Sequence, residues 1–309
     1  YKGVDVYRST GYYQNFSDAH NLMSYRHTRA HNSLLVNGIG QPYSTEGYGS
    51  VMRAMGGQHI SYCLGDASHA YRSISNDPMW VDYFKQAGIE QTPENGFGAT
   101  PLTKYRRHVL MLHPHTVIVY DELEASEAVR WEWLLHSPTE FKIDAVKKTL
   151  STDNKTKGWV AVTQLFGGHV FTLSQTDRFV VPPAITGAEY PNQWHLTARV
   201  DGCSATRFLA IIQIGDEAVS IINRDGDTFN VGDWTIKAVL DASKAPELTV
   251  SHRTEQAVFS YGTDNPALNG NFYSRQFTGS SLLYDEIDGA YQVVEMTDRS
   301  PISTRVVNQ

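Results

Sequence analysis

Residues 130–135 read Arg130-Trp131-Glu132-Trp133-Leu134-Leu135. Trp131, Trp133 and Leu135 fall on one side of an extended chain, Arg130 and Glu132 on the other. That is the two-residue period of a half-buried strand. Working outward, residues 117–120 are a compact run of β-branched and aromatic side chains. Residues 107–112 precede them, and His113-Pro114-His115-Thr116 lies between. This reads as a hairpin in which Pro114 breaks the ladder. Further strands are expected at 34–36, 159–165, 169–173, 194–200, 207–214, 219–223 and 234–240. Turn signals separate them: Asn37-Gly38, Gly167-Gly168, Asp201-Gly202 and Asp225-Gly226. One short helix is expected at 77–87, capped by Asp77 with Pro78 in its first turn. Nothing else sustains a 3.6-residue period.

The fold class is therefore all-β. It is read as a large antiparallel β-sandwich of stacked sheets at 1–218, with a smaller C-terminal antiparallel sheet at 219–309 and very little helix. Residues 298–309 are polar and read as a linker or frayed tail.

The 309 residues carry a net charge of -7, with 41% hydrophobic, 11% aromatic and 19% charged side chains. Few charges and many aromatics exclude a disordered chain. No apolar run approaches the ~20 residues that span a bilayer, so no membrane partner is expected. Nucleic acid is not expected either, because counterion release needs clustered Lys and Arg. Cys63 and Cys203 sit in strand-like surroundings without metal or redox spacing and read as two free thiols, the alternative being a disulfide between them. The first residue is Tyr1 rather than Met, and no signal peptide is present, so the chain reads as processed or as a piece of something longer.

Within this acidic chain, residues 8–31 hold a basic and aromatic cluster. Arg8, Arg26 and Arg29 stand among His20, His27 and His31, with Tyr7, Tyr12, Tyr13 and Tyr25. Arginine takes a carboxylate or sulfate bidentately, and tyrosine faces stack on pyranose rings, so the cluster suits an anionic sugar. The other reading is that the tyrosines fill the core and the arginines pair with local Asp. His27 and His31 have the i, i+4 spacing of a helical zinc site, but no Glu accompanies them and a strand follows. Asp121, Glu122 and Glu124 form an acidic strand end, read as solvated. They would serve a hydrolase of a neutral glycan only if they faced a sugar. There is no G-x-S-x-G elbow, P-loop or G-x-G-x-x-G opening a βαβ unit.

The run His27-Thr28-Arg29-Ala30-His31-Asn32-Ser33-Leu34-Leu35-Val36 resembles the R-T-x-A-H-N-t/s-L-L-V signature of heparinase II/III-like polysaccharide lyases. Tyr1-Lys2-Gly3, Ser9-Thr10-Gly11-Tyr12-Tyr13 and Ser17-Asp18-Ala19-His20-Asn21 resemble the stretches just before that signature. Residues 117–122 with Trp133-Leu134-Leu135-His136-Ser137, and later residues 208–216, resemble the family's following strands. The resemblance covers roughly the first two thirds of the chain in order.

It implies a longer enzyme, in which an N-terminal (α/α) toroid precedes the β-sandwich and the cleft lies between them. The implied reaction is β-elimination on a uronic-acid polysaccharide, glycosaminoglycan-like or alginate-like. The implied setting is periplasmic or secreted. The main catalytic residues, a toroid Tyr among them, are expected upstream of Tyr1. His20 is a secondary catalytic candidate. Arg8, Tyr12, Arg26, His27 and Arg29 are the candidate residues for binding the anionic polysaccharide. No cofactor is required. The family's structural zinc would use His31, but its Asp position aligns with Ser9; the alternative for His31 is a hydrogen bond to backbone. The competing reading of the whole is a non-catalytic carbohydrate-binding sandwich.

Overall fold

The structure is a computed structural model that describes residues 1–216, 222–263, 267–268, 271–272, 274–298 and 303–305. Its first sheet contains β1 (Leu34–Val36), β2 (Ser50–Gly56), β3 (Ile60–Asp66), β4 (Leu102–Leu112) and β5 (Thr116–Ser137). β6 (Lys142–Asp144), β7 (Thr149–Asn154), β8 (Trp159–Gly167), β9 (Thr172–Thr176) and β10 (Trp194–Gly215) complete it. Their order is β2-β3-β4-β5-β10-β8-β7-β6, with β1 beside β5 and β9 beside β10. The second sheet begins with β11 (Ile222–Asp225), β12 (Thr228–Val231), β13 (Trp234–Ala238), β14 (Leu248–His252) and β15 (Val258–Tyr261). β16 (Ala267–Leu268) pairs with β17 (Asn271–Phe272). β18 (Ser281–Ile287), β19 (Ala290–Met296) and β20 (Ser303–Arg305) continue the second sheet from β15. Every pairing is antiparallel, and the all-β sandwich expected from the alternation is what forms.

Two long strands organise the first sheet. Residues 117–120 and 130–135, read as separate strands, belong to one 22-residue strand, β5. The same holds for 194–200 and 207–214 in β10. Asp201-Gly202, expected as a turn, is instead a bulge at which the β5–β10 register shifts, with Gly202 at φ +71. Each long strand then serves two partners in turn. β4 pairs with the first half of β5, and β1 matches Leu34 to Trp133 and Val36 to Trp131 on the second half. β9 and β8 divide β10 in the same way. The strand read at 169–173 begins three residues later, as β9.

Side chains alternate between two cores. Leu209 and Ile211 face the second sheet, where they meet Ile118, Tyr120, Phe229, Ile236 and Phe259. Phe208 and Ala210 face the other way, with Trp131, Trp133, Leu135 and Leu196. Helix α1 (Pro78–Gln86) forms as expected, its N-cap Asp77 accepting from the Met79 N–H. Three short helical turns were not expected from the sequence, Thr28–Ala30, Pro93–Asn95 and Asn21–Tyr25; Leu22 and Met23 of the last pack with Phe84 and Phe97 into a third, smaller core. That core ties Leu22 and Met23 to α1 and to Phe97.

The division drawn between 218 and 219 falls within 217–221, outside the described residues. The strand read at 219–223 also begins there, and its described end opens β11. The polar stretch from 298 on includes β20; most of the remainder is not described. No helix among the described residues is long and apolar enough to cross a membrane.

Candidate functional site

The segment from Ser9 to Ser33 crosses the first sheet and is tied down by buried polar groups. The Thr10 N–H donates to the Ala30 carbonyl at 2.9 Å. The His136 N–H donates to Asn32 Oδ1 at 2.8 Å, and His136 Nε2 donates to the Arg29 carbonyl at 2.8 Å. From below, Arg107 Nη1 donates to the Asn32 carbonyl at 2.6 Å. Arg107 is itself gripped by Asp121 through Nε at 2.7 Å and Nη2 at 2.8 Å. Trp133 Nε1 also donates to Asp121, at 2.9 Å. The nearby carboxylate outweighs burial and pushes the Arg107 guanidinium up.

The acidic strand end is thus corrected. Asp121 and Glu122 are buried, not solvated, and only Glu124 is exposed. Glu122 Oε1 accepts from His108 Nε2 and from the Tyr261 hydroxyl, each at 2.9 Å, and Lys104 Nζ lies 2.9 Å from Oε2. Those neighbours hold its pKa at about 2 against the cost of burial. Both carboxylates are consumed in bracing the sandwich and leave no acid pair open to a sugar.

Two clefts flank the Ser24–His31 stretch. The first, about 510 Å³, is lined by Ser9, Tyr25, Arg26, His31, Tyr43 and Trp80 among others. The Arg26 guanidinium lies 4.6 Å from the Phe16 ring centre and 5.1 Å from that of Trp80. Two aromatic faces thus hold its charge, and it forms no ion pair among the described residues. His31 stands beside Ser9: its Nδ1 accepts from the Ser9 hydroxyl at 2.8 Å, and its Nε2 donates to the Arg26 carbonyl at 3.2 Å. Zinc would need deprotonated donors, and the partner of His31 here is a hydroxyl. Among the described residues no group of three or more His, Cys, Asp or Glu is arranged to hold a metal ion. The residues present do not fit the zinc that the resemblance implied, and His31 bonds to backbone.

The second cleft is about 570 Å³ and opens on the other side. Arg29, Arg130, Arg178, Phe179, His136 and His195 contribute to its walls, over Leu35 and Leu134. Burial holds His136 at a pKa of about 3 and His195 at about 4, so both are neutral at pH 7. Arg29 reaches this cleft by leaning on His27: its backbone N–H and Nε donate to His27 Nδ1 at 3.1 and 3.0 Å, and Nη2 donates to the Asn95 carbonyl at 2.6 Å.

The candidate residues therefore scatter. Arg26 lines one cleft and Arg29 the other. His27, expected in the binding surface, is fully buried. Its Nε2 donates to the Gly96 carbonyl at 3.0 Å, and burial with the adjacent Arg29 charge lowers its pKa to about 3. His27 orients Arg29 and has no open face for a sugar. His20 is buried too, its Nε2 accepting from the Tyr12 N–H at 3.0 Å and its Nδ1 donating to the Val181 carbonyl at 2.6 Å. Both ring nitrogens are used structurally. The Tyr12 hydroxyl donates to the Pro191 carbonyl at 2.6 Å, and its ring packs on Tyr190. Arg8 is exposed, 3.6 Å from Asp5. Arg130, Arg178, His136 and His195 were not among the expected residues. Strand pairing, not sequence proximity, brings them together, since β10 holds β5 on one side and β9 on the other.

The comparisons with known proteins agree with this architecture. The family model for the heparinase II/III-like C-terminal domain matches residues 1–198. No curated protein sequence matches significantly. Among solved structures, a heparinase III with methylated lysines superposes at a TM-score of 0.55 with 13% identity, over 84% of this chain and 34% of that one. A second heparinase III structure gives 0.50 with 14% identity, over 79% and 31%. A heparan sulfate lyase from Pedobacter heparinus gives 0.48 with 12% identity, over 76% and 30%. The chain spans about a third of the length of these structures, and at such identities the first two likenesses speak to fold alone. The family match covers well over half of the 309 residues, the signature from His27 to Val36 included. On that ground the chain belongs to the heparinase II/III-like C-terminal family.

Proposed function

We propose that this chain is the β-sandwich part of a polysaccharide lyase that cleaves a uronic-acid polysaccharide by β-elimination. The observation that carries the reading, beside family membership, is the pair of clefts at residues 24–31. Each presents an arginine with no carboxylate paired to it among the described residues, Arg26 in one and Arg29 in the other. In a chain of net charge -7, that arrangement suits an anionic polymer more than a neutral one.

In such a reaction a base removes the proton at C5 of a uronate and the bond from C4 to the bridging oxygen breaks. The proton at C5 becomes acidic enough only when the neighbouring carboxylate is neutralised as charge develops. This chain's own contribution is to bind and orient. Arg26, held between Phe16 and Trp80, offers guanidinium N–H groups to a carboxylate or sulfate. The exposed Tyr13 and half-buried Tyr25 beside it offer ring faces. The histidines His20, His27 and His31 are committed to local hydrogen bonds, so the base and acid are assigned to an N-terminal (α/α) toroid joined to this chain. A polymer substrate places the reaction outside the cytoplasm, in the periplasm or secreted.

The test is to supply the protein carrying this chain and its toroid with heparan, chondroitin, hyaluronan and alginate, and to follow the ultraviolet absorbance of the unsaturated uronate. A rise with one of them is expected. No rise with any would end the elimination reading.

A further inference from the structure

The second cleft has features that the proposed elimination does not use. We infer that it binds one acidic sugar unit, whose carboxylate or sulfate lies against Arg29, Arg130 and Arg178. This deepens the reading of the chain as part of an acidic-polysaccharide lyase and rests on it.

The argument starts from charge. Arg29 is half-buried, and no carboxylate lies within 4 Å of it among the described residues. Burial pushes its guanidinium down, with only partial relief from Tyr43 and Glu132. Arg107 shows the opposite behaviour, because Asp121 compensates it. A half-buried cation that opens into a cavity without a counter-ion is a place where an anion is stabilising. Arg178 is exposed at the mouth and makes no side-chain ion pair among the described residues. Arg130 lies 3.2 Å from Glu132, and Glu94 sits exposed on the rim. Three guanidinium groups thus meet Glu132, which is already taken, Glu94 on the rim, and Asp177, whose charge acts on His195.

The backbone is shaped around these groups. At Gly96, φ is +89, and a side chain there would run into Arg29 Nη2 and come within 2.6 Å of His27 Nε2. At Gly38, φ is +81, and a Cβ would stand 2.9 Å from Arg130 Nη2. Both glycines let a guanidinium lie close against the main chain. The remaining walls suit a sugar: Thr176 and Thr197 for its hydroxyls, and the Phe179 ring for its apolar face. A cavity of about 570 Å³ is within the range of small-ligand sites, roughly 300–1,000 Å³.

The experiment is isothermal titration of the full 309-residue chain with three disaccharides: a glucuronate-containing one, its O-sulfated form, and neutral cellobiose. Binding of an acidic disaccharide but not cellobiose is expected, weakening as salt rises. Binding of the unsulfated form assigns the anion as carboxylate; binding of the sulfated form alone assigns it as sulfate. R178A, at an exposed position, should lower affinity about tenfold without changing the circular dichroism, and R29Q should lower it at least as much. The inference is overturned if neither acidic disaccharide binds at millimolar concentration, if cellobiose binds equally well, or if folded R178A binds as the parent does. Titration reports binding by this chain alone, whereas elimination requires the toroid, so either reading can fail without the other.

Discussion

Replacing Asp121 by Ala removes one acceptor from three buried donors. Arg107 loses the contacts through Nε and Nη2, and Trp133 Nε1 loses its 2.9 Å bond. Breaking a buried ion pair from one side costs about 3–5 kcal/mol, because the remaining charge stays desolvated. An orphaned buried indole N–H adds about 1–3 kcal/mol. The Arg107 side chain is 20% exposed, so water relieves part of this, and the expected loss is about 4 kcal/mol. D121N retains acceptor capacity for Trp133 and one guanidinium N–H, and should lose roughly half as much. Urea unfolding followed by tryptophan fluorescence gives the difference. A second signature is local: Arg107 also holds the Asn32 carbonyl, so hydrogen exchange at the His136 amide should speed up in D121A more than at strand amides remote from Asn32. A change below about 1 kcal/mol would refute the claim that this pair anchors the arginine-bearing segment.

Acid should destabilise the protein well before its carboxylates titrate. His27 and His136 sit at about pKa 3 and His195 at about 4, against an ordinary value of 6.5. The unfolded chain takes up protons below about pH 6.5 while the folded one does not, so stability present above that pH is lost as it falls, by about 1.4 kcal/mol per pH unit per histidine. Glu122, held at about 2, adds a further loss below about pH 5. A melting temperature unchanged from pH 7 to pH 5 would contradict this. Gly96→Ala should destabilise by more than 1 kcal/mol, since the position needs a positive φ and the space is taken by Arg29 and His27. A neutral effect on thermal unfolding would show that Arg29 is not packed there. Asp285 should act as a clip between the sheets: it accepts from the His59 and Ile60 N–H groups at 2.9 and 2.8 Å, and D285A should cost about 2–3 kcal/mol in urea unfolding, an equal midpoint arguing against it.

The strand content was legible because it rests on local alternation. Trp131, Trp133 and Leu135 are buried on one face as their spacing requires. What the sequence concealed was continuity. Asp201-Gly202 has the composition of a turn, and only the partner strand decides that it bulges rather than reverses. The same limit governed the site. His27 looked like a surface ligand among arginines, but Phe97 packs edge-on against its ring and the Gly96 carbonyl accepts a hydrogen bond from its Nε2. Asp121 and Glu122 looked solvated because Arg107 and Lys104, which pair with them, and His108 and Tyr261, which donate to Glu122, come from other strands. Arg130 and Arg178 carry no local motif at all; 48 positions apart, they meet only through the β5–β10–β9 pairing.

The central claim is that this sandwich holds an acidic polysaccharide through Arg26 while a joined toroid performs the elimination. The direct measurement is kcat/KM for unsaturated-uronate release by the toroid-bearing protein and by its R26A variant, on whichever uronate polymer the parent cleaves. We expect R26A to lower kcat/KM about tenfold, mainly through KM, as loss of a charge-assisted contact made in both ground and transition states requires. An unchanged kcat/KM in folded R26A, or no release by the parent from any uronate polymer, would contradict it.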